Sequence, residues 1–169
     1  KLRFKTCGNR TQTDIIIPEL KGMRALVADD NFNTCASITK MLDSVGMRSE
    51  WTTTGKEALL QTKFAIERRD EFGVYIIDWM IPDMNGVEIT RRIRRIVGNS
   101  APIIILTAYD WTEIESEARE AGVTAFCTKP IFMSELRDIL SKPYSPSAPA
   151  ETEEKPQDMF TGKRILLRT

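Results

Sequence analysis

The stretch Val74-Tyr75-Ile76-Ile77-Asp78 is a continuous apolar run that ends at a carboxylate. Such runs are typical of strands buried on both faces of a parallel sheet. Three other stretches have the same form and end at a carboxylate pair, a hydroxyl and an ammonium: Arg24-Ala25-Leu26-Val27-Ala28-Asp29-Asp30, Pro102-Ile103-Ile104-Ile105-Leu106-Thr107 and Ala125-Phe126-Cys127-Thr128-Lys129-Pro130. Ligands of open α/β sheets bind at the carboxyl ends of the strands. These polar groups are therefore predicted to meet at one edge, where they could hold a divalent cation and accept a phosphoryl group.

Helical patterns fill the segments between these runs. Apolar residues at helical spacing within residues 35–45 precede Gly46, which is placed to end a helix. Sequences typical of capping boxes begin at Thr54 and at Thr112, and Gly122 is predicted to end the helix that the second one opens. Five strand–helix alternations of this kind predict an α/β fold with a parallel sheet and right-handed crossovers.

Length and composition fit one ordinary domain with tails. The chain has 169 residues, of which 41% are apolar, which is enough for a core. Lys plus Arg and Asp plus Glu both number 24, so no net charge favours nucleic acid or an anionic membrane as a partner. No apolar run approaches the roughly 18–20 residues of a membrane span, and no signal peptide is recognisable.

The histidine and cysteine counts exclude several kinds of chemistry. With no histidine, the chain cannot form a Ser-His-Asp triad or a histidine-ligated zinc site, and any phosphohistidine donor must lie elsewhere. The chain has three cysteines, which are widely spaced: Cys7, Cys35 and Cys127. Because this number is odd and the spacing is wide, we interpret them as reduced thiols. A cytoplasmic location is expected, whether or not a parent protein is anchored in a membrane.

Residues 22–142 resemble the receiver domain of two-component signalling. Four motifs carry the resemblance, in the same order: Asp29-Asp30, Asp78 followed by Met80-Ile81-Pro82-Asp83-Met84-Asn85-Gly86, Thr107-Ala108, and Lys129-Pro130. The resemblance implies a flavodoxin-like (βα)5 doubly wound parallel sheet with strand order 2-1-3-4-5 and a cis peptide bond before Pro130. It also implies a phosphoacceptor module in a histidine-to-aspartate phosphorelay.

The resemblance assigns a role to each polar residue at the predicted edge. Asp78 would be the phosphoacceptor. Mg²⁺, with Mn²⁺ as a second candidate, would be held by Asp30, Asp78 and the backbone carbonyl of Met80, with Asp29 acting through water. Lys129 would bind the phosphoryl oxygens, and the donor would be a histidine kinase domain or a histidine phosphotransfer protein. The transfer would be self-catalysed.

The resemblance also implies a conformational switch. Thr107 would donate to a phosphoryl oxygen, and the small Ala108 beside it would leave the phosphoryl pocket open. Phe126 would turn inward and alter the face built from the fourth helix, fifth strand and fifth helix. Because Phe126 lacks the hydroxyl of a tyrosine, this switch would depend on packing alone.

The two ends of the chain differ in composition from the central domain. Residues 1–21 are interpreted as a linker or as the exit strand of a preceding domain, and residues 143–160 as a Pro/Glu-rich linker. Residues 161–169 weakly repeat the start of the first strand and are interpreted as the truncated start of a second receiver. With no initial Met, this organisation predicts a fragment containing the first receiver of a hybrid sensor histidine kinase.

Other functions compete with the phosphoacceptor hypothesis. A pseudo-receiver would dock a partner without being phosphorylated, although it has no need of the full set of polar residues. A haloacid-dehalogenase-like phosphatase would have a second Asp at the position of Met80. The arginine run at residues 91–95 is interpreted as a solvated helix face, because no aromatic residue interrupts it. Trp51, Trp79 and Trp111 are interpreted mainly as packing residues, with Trp111 also a candidate partner contact.

Overall fold

The computed structural model of the chain describes residues 17–108, 112 and 114–141. Residues 1–16 of the first predicted linker, the second predicted linker, the predicted start of a second receiver, Cys7 and Trp111 lie outside these residues. A short 3-10 helix, Pro18–Leu20, precedes the first strand. None of the helices in the described part of the chain has the length and apolar character needed to cross a lipid bilayer.

Strands and helices alternate along the chain, as the sequence predicts. The main-sheet strands are β1 Arg24–Ala28, β2 Arg48–Thr52, β3 Phe72–Asp78, β4 Ile103–Thr107 and β5 Ala125–Thr128. The helices are α1 Phe32–Ser44, α2 Gly55–Glu67, α3 Gly86–Val97, α4 Glu115–Ala121 and α5 Met133–Ser141. Two further strands, Met80–Ile81 and Met84–Asn85, pair antiparallel and form a hairpin between β3 and α3.

All five main-sheet strands are parallel, in the spatial order β2-β1-β3-β4-β5. The flavodoxin-like fold and its predicted strand order are therefore confirmed. Since β1 and β3 are central, the polar residues that follow them lie near the middle of the carboxyl edge. The predicted cis peptide bond between Lys129 and Pro130 is also present.

The strands bury apolar side chains on both faces of the sheet. On one face, Tyr75 and Ile77 belong to a core cluster that includes residues of α2, α3 and α4. On the other face, Val74 and Ile76 pack in a second cluster with residues of α1 and α5. This two-sided burial explains why the strands are continuous apolar runs rather than alternating ones.

The helix ends are partly those that the sequence predicts. Thr54 caps α2 by accepting a hydrogen bond from Glu57 N, and Gly122 ends α4 at φ 98°, in the left-handed region. The capping box predicted at Thr112 is wrong, because α4 begins at Glu115 with Ile114 in the cap position and no side-chain cap. The Glu115 carboxylate pairs with Arg119 one turn later in the helix.

Candidate functional site

Three carboxylates converge at the carboxyl edge of the sheet. Asp29 and Asp30 follow β1, and Asp78 is the last residue of β3. Carboxylate oxygens of these three residues all lie within 4.8 Å of one another. Asp29 and Asp78 are buried, whereas Asp30 is exposed. A set of hard oxygen donors open to solvent on one side suits Mg²⁺, which retains several waters when bound.

Lys129 brings a positive charge into this acidic cluster from the end of β5. Its Nζ lies 2.6 Å from Asp29 Oδ2 and 2.9 Å from Asp78 Oδ1. The backbone of Lys129 is held at the same edge, because its N–H donates to the Thr107 carbonyl at 2.9 Å. One ammonium offsets only one of three carboxylates, so the cluster retains negative charge for a divalent cation to neutralise.

Hydrogen bonds to both of its oxygens fix the orientation of Asp29. Asn31 N donates to Asp29 Oδ1 at 2.9 Å, while Oδ2 accepts from Lys129. Asn31 itself caps α1 by accepting from the backbone of Asn33 and Thr34. The start of α1 therefore positions the buried carboxylate, and the exposed Asp30 beside it is free of these two bonds.

The surroundings shift the proton affinities of Asp78 and Lys129. Burial raises the pKa of Asp78, and the charges of Asp29 and Asp30 add to this effect, although Lys129 opposes it. Burial alone would lower the pKa of Lys129, but hydrogen bonds to Asp29 and Asp78 outweigh it and raise that pKa. The pKa values of both groups are thus raised, that of Asp78 chiefly by burial and that of Lys129 by its hydrogen bonds to the two carboxylates.

A pocket of about 240 Å³ opens above Asp78. The residues lining it are Asp30, Asp78, Trp79, Met80, Thr107, Ala108 and Lys129. This lining includes every predicted metal and phosphoryl residue except Asp29, which contacts Lys129 beside the pocket, and Phe126. Phe126 is half-buried in β5 and packs against the core cluster on the α3 and α4 side of the sheet. Trp79 packs against the same cluster and still lines the pocket.

Comparison with known proteins identifies the family. The model of the response regulator receiver domain matches residues 25–141, which is more than half of the chain. The chain belongs to the receiver domain family of two-component signalling. The acidic pocket at the carboxyl edge of the sheet is therefore part of a receiver domain.

Relatives of this receiver include both response regulators and kinases. It is 32% identical over 114 residues to the response regulator RppA of Synechocystis, covering 68% of this chain and 47% of that protein. It is 30% identical to the osmosensing histidine protein kinase SLN1 of Saccharomyces cerevisiae, covering 71% of this chain and 10% of the kinase. The sporulation initiation phosphotransferase F of Bacillus subtilis is 28% identical, with 70% of this chain and 91% of that protein covered.

Solved receiver structures agree with the fold. The chemotaxis protein CheY4 of Vibrio cholerae matches with a TM-score of 0.65 and 27% identity, over 70% of this chain and 96% of that one. The receiver domain of the Pseudomonas aeruginosa sensor histidine kinase PA1611 matches with a TM-score of 0.61 and 29% identity, over 70% and 94% of the chains. That structure is described as having magnesium coordinated in the active-site cleft.

Two cysteines of this receiver are buried in the core cluster that packs against α1 and α5. Cys35 Sγ donates to the Asp29 carbonyl at 3.3 Å, and burial, with the nearby Asp29 charge, raises its pKa to about 11. Burial, with the charge of Glu135, raises the pKa of Cys127 to about 12. Neither cysteine is in a disulfide, and their raised pKa values favour the thiol form, as expected for packing residues.

The arginine run of this receiver is not simply a solvated face. Arg92 pairs with Glu88 of the same helix, and Arg91 pairs with Glu117 of α4. Arg94 instead turns toward the protein and donates to the carbonyls of Gly98, Ala101 and Gly122. Helical spacing did not single out Arg94, because two of its acceptors lie in the loop that follows the helix and the third, Gly122, lies 28 residues away.

Proposed function

We propose that this receiver is a phosphoacceptor in a histidine-to-aspartate phosphorelay and that Asp78 receives the phosphoryl group. The observation that carries the proposal is the convergence of Asp29, Asp30 and Asp78 with the ammonium of Lys129, in which Nζ lies 2.9 Å from Asp78 Oδ1. A docking module that is never phosphorylated has no physical need for two buried carboxylates beside a lysine, because burying charges costs stability.

Mg²⁺ is the cofactor that these donors fit. Asp30, Asp78 and the backbone carbonyl of Met80 would hold it, with Asp29 acting through water, and Mn²⁺ would suit the same oxygen donors. When bound, the cation would neutralise the carboxylates and the charge that develops on the phosphoryl oxygens. The grouping of the three carboxylates supports this assignment, since their oxygens lie within 4.8 Å of one another.

The proposed reaction moves one phosphoryl group between two nucleophiles. A carboxylate oxygen of Asp78 attacks phosphorus, and the bond from phosphorus to the imidazole nitrogen of the donor breaks, with its electron pair returning to that nitrogen. The Lys129 ammonium, already 2.9 Å from Asp78 Oδ1, would then bind the transferred group. Thr107, buried at the end of β4 and lining the pocket, would donate its hydroxyl to a phosphoryl oxygen.

The response to phosphorylation would involve the face formed by α4, β5 and α5. Thr107 is followed by Ala108, whose small side chain leaves room in the pocket for the phosphoryl group. A Thr107 hydroxyl drawn toward phosphate would leave space beside β5, into which the half-buried Phe126 can pack. The physical requirement is a bistable element whose equilibrium the phosphoryl group biases.

The phosphoryl donor would be a histidine kinase domain or a histidine phosphotransfer protein. The proposed location of the receiver is the cytoplasm. A groove of about 560 Å³ lies between α1 and the Pro130–Ile131 segment and includes Lys129 in its lining. Because it shares Lys129 with the acidic pocket, a donor seated in this groove could bring its phosphohistidine to Asp78. A place in a hybrid sensor histidine kinase is the proposed context.

Phosphorylation by acetyl phosphate tests the proposal directly. We expect intact-protein mass spectrometry to show the gain of one phosphoryl group that requires Mg²⁺ and is absent from Asp78→Asn. Asp138→Asn, which removes an exposed carboxylate from α5, is the matched control and should be labelled like the wild type. Equal labelling of Asp78→Asn would contradict the assignment, and failure of both Mg²⁺ binding and labelling by a phosphorylated donor would favour the pseudo-receiver.

A further inference from the structure

The carboxylate of Asp83 caps a helix to which it does not belong. Asp83 lies in the turn of the hairpin between β3 and α3. Its Oδ1 accepts a hydrogen bond from Gly55 N at 2.9 Å, and its Oδ2 accepts one from Lys56 N at 3.0 Å. These N–H groups open α2 and lack partners within the helix, and a negative charge is favourable at that end. The turn of the hairpin is thereby tied to the start of α2.

The base of the hairpin is held by the main sheet, and its flank lies against α2. Gly86 N donates to the Trp79 carbonyl at 2.9 Å, and Trp79 N donates to the Leu106 carbonyl at 2.8 Å. A Cβ added at Gly55 would lie 3.1 Å from Met84 Cβ, so the first residue of α2 approaches the hairpin closely. The base is therefore fixed by β4, while Asp83 fixes the far end.

The hairpin carries Met80, whose backbone carbonyl is the proposed third metal ligand. Met80 is 62% exposed as a whole residue, so packing contributes little to holding it in place. Its backbone is held through pairing with Asn85 on the opposite strand of the hairpin. Met80 lines the pocket, so the position of its backbone there depends on how the hairpin as a whole is anchored.

We propose that Asp83 is a positioning residue for the metal site: by fixing the hairpin turn to the first N–H groups of α2, it holds the Met80 carbonyl at the acidic pocket. This inference rests on the proposed function, which makes Met80 a metal ligand. Asp83 acts through the backbone and is not among the residues that line the pocket. Groups that orient metal ligands from outside the coordination sphere typically contribute about 10–100-fold to metal affinity.

The chain offers a matched control in Thr54, which caps the same helix. The Thr54 hydroxyl accepts from Glu57 N at 3.2 Å, a hydrogen bond that does not involve the hairpin. Asp83→Ala and Thr54→Ala each remove one cap of α2, so both are expected to lower the melting temperature. Only Asp83→Ala releases the hairpin turn. Asp83→Asn is the second variant. Its side chain has one acceptor oxygen in place of the two of Asp83, so it can keep one of the hydrogen bonds from Gly55 N and Lys56 N but not both in the same arrangement.

The test compares Mg²⁺ binding with thermal stability in the full chain. Mg²⁺ titrations of the wild type and the three variants, followed by tryptophan fluorescence and calorimetry, give dissociation constants, and circular dichroism gives melting temperatures. We expect Asp83→Ala to raise the dissociation constant by about tenfold or more, Asp83→Asn to raise it less, and Thr54→Ala to leave it unchanged. Equal dissociation constants for Asp83→Ala and Thr54→Ala would overturn the inference while the metal site stands. A wild type that binds no Mg²⁺ would overturn the metal assignment itself, and the inference with it.

Discussion

The ammonium of Lys129 lies 2.6 Å from the fully buried carboxylate of Asp29, although 100 residues separate them in the sequence. This ion pair joins the carboxyl end of β5 to that of β1 across the candidate site. A carboxylate with no exposed surface is costly without a counter-charge. Lys129 therefore stabilises the protein in addition to its proposed role in binding a phosphoryl group.

Replacing Lys129 with Met should destabilise the receiver. The variant leaves Asp29 buried beside Asp78 without a cation. Removing one partner of a buried ion pair typically costs about 3–5 kcal/mol of stability. The cost is smaller here, because Lys129 is partly exposed. We expect the free energy of unfolding, from urea titrations at neutral pH, to fall by about 2–4 kcal/mol. Saturating Mg²⁺ should recover part of this loss, since it supplies the missing positive charge.

Lys40→Met provides the control for this experiment. Lys40 is an exposed residue of α1, so its replacement should change the free energy of unfolding by no more than about 0.5 kcal/mol. If Lys129→Met were as stable as Lys40→Met, the Asp29 carboxylate would not depend on Lys129 for its neutralisation.

Replacing Asp78 with Asn should separate stability from phosphorylation. Burial raises the pKa of Asp78, which means that folding favours the uncharged form and that the ionised carboxylate costs stability at neutral pH. We expect Asp78→Asn to take up no phosphate and yet, without Mg²⁺, to unfold at a urea concentration no lower than that of the wild type. Added Mg²⁺ should stabilise the wild type more than the variant. A clear loss of stability in Mg²⁺-free buffer would show that pairing with Lys129 outweighs the burial of the charge.

Mg²⁺ affinity should depend on pH through the same carboxylate. The metal binds ionised Asp78, so a proton competes with it as the pH falls through a pKa that lies above the ordinary value of 3.8. Affinity should be constant well above that pKa and should fall by about tenfold per pH unit below it for each proton displaced. Calorimetry in two buffers of different ionisation enthalpy would count the released protons. Asp138→Asn should keep this dependence, and Asp78→Asn should lose the contribution of one proton.

The sequence predicts the residues of the site better than the contacts that hold them. A strand buried on both faces carries apolar residues until it leaves the sheet, so the first polar residue marks its carboxyl end, as Asp78 does at the end of β3. Parallel pairing then brings these ends together. Asp83, by contrast, is recognisable only as a turn residue, because its partners Gly55 and Lys56 lie 28 and 27 residues away. A local motif such as that at Thr112 also fails where the helix begins later than the motif indicates.

Arg94 is a further residue whose role depends on tertiary contacts. Its Nη1 donates to the carbonyls of Gly98 at 3.0 Å and Ala101 at 2.7 Å, and its Nη2 donates to that of Gly122 at 2.7 Å. Gly122 ends α4, and a Cβ there would lie 2.8 Å from Arg94 Nε. A single guanidinium therefore connects the end of α3, the start of β4 and the end of α4.

Replacing Arg94 with Ala should destabilise the receiver by about 1–3 kcal/mol, the usual cost of leaving partly buried acceptors without partners. Arg94→Lys should recover little of this, because an ammonium lacks the planar array of donors that reaches three carbonyls. Arg95→Ala, at the exposed neighbouring position, is the control and should stay within about 0.5 kcal/mol of the wild type. Urea titrations measure all three variants. Equal free energies of unfolding for Arg94→Ala and Arg95→Ala would contradict this prediction. The connection between α3 and α4 would then depend on other contacts, such as the Arg91–Glu117 ion pair.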